Sequence, residues 1–244
     1  MVWNGIVSAQ ISGGDVYVQK LLDLSRWEYV AYAPKRAFSM LQRKSVISHV
    51  VDNIYAAMTW TQMLLYIKRT FQVTVNIIFR REKYKLALAA SPFFHDLIPC
   101  IFSRSSSRAV IFFHLIPERK STNWRSTVRF SIAKVEQAFS IFLIKHYFSI
   151  VIAGNELVVK QLKEQGLNLD FIVSDAGIDT AKIDSQNGRN KKKDNLLFMG
   201  RLTTQKGILD LVDIMDEVVK TDIGKKLVVI GDGPHRHLLE EKID

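Results

Sequence analysis

Short apolar runs alternate along this chain with longer stretches in which apolar residues recur at helical spacing. WEYVAYA (27–33), KLALAA (85–90), RAVIFFH (108–114), FSIVIA (148–153) and FIVS (171–174) are nearly continuous apolar segments. Segments of that length without polar alternation predict strands covered on both faces, as in a parallel sheet. Between them, residues 16–24, 56–71, 124–147 and 156–165 carry the helical period. Asn155 stands where an N-cap belongs, and Gly166 where the following helix ends.

Residues 180–194, TAKIDSQNGRNKKKD, are polar and charged with almost no large apolar side chain, which predicts a linker. The basic cluster at 189–193 reads as a solvated hinge. A second alternating unit follows: strand NLLFMG (195–200), helix 207–220, strand KLVVIG (226–231), turn GDGP (231–234) and helix 235–243. Two strands cannot bury both faces of a sheet, and doubly wound domains have five or six. The expectation is an α/β protein with two Rossmann-like domains, the second incomplete. Residues 1–179 form the first domain, 180–194 the linker and 195–244 the first half of the second. The strand before Gly13-Gly14, GIVSAQI, is short and irregular.

Charge changes this picture by adding anionic partners. The chain has 244 residues, 48% of them hydrophobic and 24% charged, with a net charge of +10. Residues 1–180 hold 22 Lys+Arg against 13 Asp+Glu, a net of +9; residues 181–244 hold 12 against 11, a net of +1. A basic surface favours phosphate, nucleic acid or anionic lipid. The cations are scattered rather than gathered in a recognisable motif, so no nucleic-acid partner is expected. Cys100 is the single cysteine, which excludes an intrachain disulfide and a cysteine-based metal site and fits a reducing compartment. MVWNGIVSAQ lacks the cationic start and apolar core of a signal peptide. The uncharged run at 53–67 is shorter than a membrane span. The run at 137–153, broken by Lys145 and His146, reads as a buried helix entering a strand. A cytoplasmic location follows as an expectation, with peripheral contact at the inner face of an anionic membrane.

In parallel α/β sheets, ligands bind beyond the carboxyl ends of the strands. The residues there are Ser12 to Asp15, Ser91-Pro92, His114, Gly154-Asn155, Asp175 to Asp179, Gly200-Arg201 and Gly231 to Pro234. Gly13 and Gly14 let backbone approach a ligand near a helix N-terminus; an ordinary tight turn is the competing reading, with Asp15 as a first-turn acid. Arg201 offers a planar, permanently charged fork suited to phosphate. Lys206 adds a point charge beside the start of a helix, and the two cations together suit a diphosphate. Gly231 and Gly233 make a second glycine-bearing turn one strand–helix–strand step later. His114 either faces a cleft, where it donates to a hydroxyl, or is a satisfied residue at the core edge. His95, His146, His235 and His237 form no ligand spacing. No GxSxG, HExxH or P-loop motif occurs in the sequence.

The stretches LLFMGRLTTQKGILDLVDIMDEV (196–218) and KLVVIGDGPHRHLLE (226–240) closely resemble the donor half of family 4 glycosyltransferases. These are retaining, nucleotide-sugar-dependent enzymes with two facing Rossmann-like domains, the GT-B fold. More loosely, ISGGD resembles the family's first glycine-rich loop, FFH its strand-end histidine, and AGNELVVKQL its strand–cap–helix unit. SDAGID resembles the loop usually written NGVD, with Ala176 in place of asparagine.

The resemblance implies that Arg201 and Lys206 grip the donor diphosphate, with Gly200, Gly13 and Gly14 close to the phosphates or acceptor. It puts His114 against the transferred sugar and Gly231 and Gly233 beside the nucleoside. It calls for no metal or other cofactor beyond the nucleotide-sugar donor. The acceptor, a sugar, glycan or lipid-linked saccharide of the kind polysaccharide biosynthesis uses, would sit against the basic first domain. The family's glutamate pair, E-x7-E, lies downstream of the second glycine turn, beyond Asp244. The chain therefore resembles a truncated glycosyltransferase, expected to have little or no transferase activity alone. A nucleotide-sugar epimerase, a glycan phosphorylase and a non-catalytic fragment docking on anionic membrane remain the competing readings.

Overall fold

The computed structural model describes residues 1–3, 13–40, 47–50, 59–113, 115, 124–174, 180, 196–203, 206–221 and 225–243. The chain divides into two compact units, Met1–Gly177 and Ile178–Asp244.

In the first unit the elements run in chain order α1 (Gly13–Leu24), β1 (Val30–Ala33), α2 (Lys35–Met40), β2 (Ile47–Val50), α3 (Thr59–Arg80) and β3 (Lys83–Ala89). They continue with α4 (Phe94–Phe102), β4 (Arg104–Phe112), α5 (Trp124–Tyr147), β5 (Ile150–Ala153), α6 (Glu156–Glu164) and β6 (Asp170–Val173). Strand β1 pairs with β2, and β3 to β6 pair in sequence, all in parallel. Residues 1–3 join the two sets. Val2 bridges Tyr32 and Ala89 in parallel, and its N–H donates to the Leu88 carbonyl at 2.9 Å while the Trp3 N–H donates to Tyr32 at 2.9 Å. The spatial order is β2, β1, residues 1–3, β3, β4, β5, β6. Chain direction across the sheet reverses between residues 1–3 and β3, which is the topological switch point of a doubly wound sheet.

Strand β4 shows why these runs are continuously apolar. Val110 and Phe112 enter a core with Val73 and Ile77 of α3, Leu97 of α4, Ile144 of α5 and Leu162 of α6. Ile111 enters the opposite core, with Tyr17, Val18 and Leu22 of α1 and Ala37 of α2. Both faces are covered, so no position can be polar. Midway along the same strand, Arg108 instead caps α4, donating to the carbonyls of Cys100 (2.9 Å), Ile101 (3.2 Å) and Ser103 (3.1 Å).

Helix α6 starts and stops as its sequence predicts. The Asn155 side chain accepts from the Val158 N–H at 3.0 Å. Gly166, at φ +82°, turns the chain out of the helix. The Leu167 N–H then donates to Leu162 and the Gly166 N–H to Lys163, and buried Leu167 closes the end against the core.

The structure corrects the sequence reading in several places. Helix α3 continues nine residues past Phe71, to Arg80. The β-branched stretch there suggests no helix, yet Val73 and Ile77 are buried, and packing overrides propensity. Thr70 and Thr74 bond back to the carbonyls of Tyr66 and Thr70, both at 2.7 Å, which keeps their hydroxyls within the helix. Helices α2 and α4 and strand β2 have no counterpart in the reading; Pro99 inside α4 obscures the helical pattern. Strand β4 begins at Arg104 rather than Arg108. The strand GIVSAQI lies outside the described residues, and residues 1–3 hold the central place in the sheet.

The second unit contains β7 (Leu196–Met199), a 3-10 turn (Ile208–Asp210), α7 (Leu211–Thr221), β8 (Leu227–Ile230) and α8 (Arg236–Ile243). Strands β7 and β8 are parallel, with Met199 opposite Ile230. Leu202, Ile208 and Leu239 form its core, with Phe198 and Val229 packed on one face of the strand pair. The other face, Leu197, Met199, Val228 and Ile230, is exposed. The molecule is a mixed α/β protein built on parallel sheets, of Rossmann-like type. Residues 181–195, which cover all but one residue of the expected linker, lie outside the described residues.

Candidate functional site

Because β7 and β8 run in register, their carboxyl ends deliver Gly200 and Gly231 together. The two turns then close on each other through backbone. The Gly200 N–H donates to Ile230 at 3.0 Å, the Leu202 N–H to Asp232 at 3.0 Å, and the His235 N–H to Leu202 at 3.2 Å. A Cβ at Gly231 would lie 1.9 Å from the Gly200 carbonyl oxygen, and one at Gly233 would lie 2.5 Å from that of Leu202. Neither position admits a side chain. Glycine is required at both so that one turn can clasp the other. Gly200 is different: the nearest atoms to its would-be Cβ belong to the Phe198 ring, 3.8 Å away.

Leu202 anchors the first turn. It is 2% exposed and locked between Ile208 and Leu239. Its neighbour Arg201 is left exposed at the carboxyl edge of the strands. The Thr203 N–H donates to Arg201 and the Lys206 N–H to Thr203, each at 2.9 Å, which tightens the loop toward the helix. Gly207, at φ +68°, makes the entry to the 3-10 turn, with exposed Lys206 just before it.

Among the described residues neither Arg201 nor Lys206 has an ion-pair partner. Three acids of the unit pair with other cations: Asp213 with Lys242 (3.1 Å), Glu217 with Lys220 (2.6 Å) and Glu240 with Arg236 (2.8 Å). At the turns, Asp232 Oδ1 accepts from the Gly233 N–H at 2.8 Å. Two exposed cations, with no ion-pair partner among the described residues, therefore stand beside a helix start at the carboxyl ends of two parallel strands, an arrangement suited to an anion.

Residues 179–244 match the family model described as Glycosyl transferases group 1. This segment is similar to the glycosyltransferases of that group. The matched residues hold both glycine turns, Arg201 and Lys206. No curated protein matches the chain.

The first unit gathers a second set of polar groups, at its switch point. Gly13 and Gly14 open α1, and nothing lies within 4 Å of a Cβ placed on Gly13. Asp15 in that first turn accepts from the Trp3 indole N–H at 3.2 Å, tying α1 to the end of residues 1–3. At the end of β3, the Ser91 hydroxyl donates to Asp96 Oδ2 at 2.6 Å. His95 Nε2 lies 3.9 Å from the same oxygen, and the Tyr66 ring stacks on the His95 ring at 4.2 Å. Arg69, Asp96 and His95 are all buried. Burial, then the Arg69 charge, lowers the His95 pKa to about 3, so its imidazole is neutral at pH 7. Burial, then the Asp96 charge, raises the Tyr66 hydroxyl to about 12.

Sequence reasoning missed this cluster. Arg69 in the midst of an apolar helix was the available signal, because a buried guanidinium demands partners. His114 and Asp175 to Asp179 lie outside the described residues. The Gly154 N–H continues the sheet by donating to Phe112 at 3.0 Å, and its Cβ would press on Phe113 at 3.3 Å. No group of His, Cys, Asp and Glu suited to a metal occurs among the described residues. Cys100 is buried and its thiol is pushed up to about 12, which makes it chemically inert.

Proposed function

We propose that the chain is a family 4 glycosyltransferase or a fragment of one, built for transfer of a sugar from a nucleotide-diphosphate donor with retention. The observation that carries this reading is the pair of exposed cations Arg201 and Lys206, with no ion-pair partner among the described residues, beside the clasped glycine turns. A diphosphate is the ligand that uses both charges at once. Each charge-assisted contact contributes on the order of 1.5–3 kcal/mol. The contact strengthens as the leaving diphosphate gains charge, which is how such a grip lowers a barrier. The acceptor, a sugar, glycan or lipid-linked saccharide, goes to the carboxyl edge of the first unit, near Gly13 and Gly14, with His114 against the transferred sugar.

Calorimetric titration of uridine and guanosine diphosphates into wild type, Arg201→Ala and Lys206→Ala tests the reading. Each substitution should weaken the tighter nucleotide by about tenfold or more. Equal affinity in all three proteins removes Arg201 and Lys206 from the donor site.

A further inference from the structure

Helix α3 is apolar toward solvent as well as toward the core, where it also buries polar side chains, unlike an ordinary surface helix. Arg69 is fully buried and Thr70 nearly so, whereas Leu64 (66% exposed), Phe71 (72%) and Phe79 (79%) face out, with Ile67 and Ile78 on the same outward side. Leu64, Ile67, Phe71 and Ile78 recur at spacings of three, four and seven, so they form one stripe along the helix. Helix α5 repeats the arrangement. Ser140 is buried, and Ile132, Val135, Phe139 and Phe142 make a second outward stripe at spacings of three and four.

Both helices cover the same face of the sheet, with α4 packed against each. Their stripes therefore look away from the sheet on one side of the unit. Apolar exposure on this scale marks an interaction surface.

Charge decides the occupant. Helix α3 contains no Asp or Glu, and exposed Lys68 and Arg81 border its stripe. The nearest acid at its end, Glu82, pairs with Arg80 at 3.7 Å. Helix α5 has one acid, half-buried Glu136, whose carboxyl is raised by burial, and it exposes Lys145. A second copy of the chain would set like charges opposite one another. An anionic bilayer offers both what the stripes need and what the cations need: an apolar layer just beneath a sheet of phosphates.

We propose that the outward face of α3 and α5 docks on an anionic lipid surface. In this placement Phe71 and Phe139 enter the headgroup–acyl boundary, and Lys68, Arg81 and Lys145 meet lipid phosphates. No described helix is long and apolar enough to cross a membrane, and the helices lie in the interface plane instead. The inference stands apart from the donor site, since every residue in it belongs to the first unit.

Sedimentation with vesicles tests it, using phosphatidylcholine alone and phosphatidylcholine mixed with phosphatidylglycerol. Wild type should partition onto the mixed vesicles, less so as salt rises. The double substitution Phe71→Ser/Phe139→Ser should lower partitioning by about tenfold or more with the thermal midpoint retained, because both side chains already stand in water. Lys68→Glu should lower it by about fivefold, on the mixed vesicles only. Three outcomes would each overturn the proposal: no binding of wild type to the mixed vesicles, equal binding by the Phe71→Ser/Phe139→Ser protein, or self-association that this double substitution abolishes while vesicle binding is absent.

Discussion

The two carboxyl edges of this molecule handle charge in opposite ways. In the first unit, Arg69, Asp96 and His95 are buried among Tyr66 and Ser91, and their hydrogen bonds and fields act on one another. In the second, Arg201 and Lys206 are exposed and have no ion-pair partner among the described residues, and the acids Asp213, Glu217 and Glu240 are paired with other cations. Buried charge that is internally compensated holds walls in place. Exposed charge that is left over awaits a partner that brings its own. Substitutions at the first edge should therefore act on stability, and substitutions at the second on binding.

The largest expected effect is at the first edge. Asp96→Ala takes the acceptor from Ser91 and removes an acid from the buried surroundings of Arg69. It should destabilise the protein by about 3 kcal/mol or more in urea unfolding. Next is the clasp of the second unit. Gly231→Ala drives a Cβ into the Gly200 carbonyl and should cost about 2–3 kcal/mol, while weakening nucleoside diphosphate binding because Arg201 moves with the turn. Arg201→Ala should weaken that binding by about 2 kcal/mol and change unfolding by less than about 0.5 kcal/mol, the clearest separation between the two edges.

The smallest effect over a single step of the measurement is a slope with pH. The folded-state pKa of His95 is depressed to about 3 from 6.5, so above 6.5 neither state binds its proton and no penalty arises. As pH falls below 6.5 the unfolded chain takes up the proton first, and stability drops by up to about 1.4 kcal/mol per pH unit until about 3. His95→Phe, which keeps a ring against Tyr66, should flatten urea midpoints measured between pH 6.5 and 4. An unchanged slope would mean that other groups carry it.

Much of the fold was legible because strands buried on both faces leave uninterrupted apolar runs. RAVIFF is continuous because Val110 and Ile111 enter opposite cores. The ends of α6 were legible because caps are local: Asn155 and Gly166 bond residues three positions away. Helix α4 and the second half of α3 were hidden, since Pro99 and a β-branched run contradict the helix that packing enforces. In the second unit, Arg201 and Lys206 could be read from local order alone. Gly231 and Gly233 were noticed for their type, but the contact that requires them is with residues 200–202, which sequence does not show to be adjacent. The cluster of Arg69, His95 and Asp96 stayed hidden for the same reason, as it joins two helices and a strand end through tertiary contact.

The most direct test of the uncompensated-cation site is the salt dependence of nucleoside diphosphate affinity in wild type and in the double variant Arg201→Gln/Lys206→Gln. Wild type should bind more weakly as salt rises, and the double variant should bind about a hundredfold more weakly at low salt with a much shallower dependence. The same affinity and the same slope in both proteins would contradict the assignment of Arg201 and Lys206 to the diphosphate.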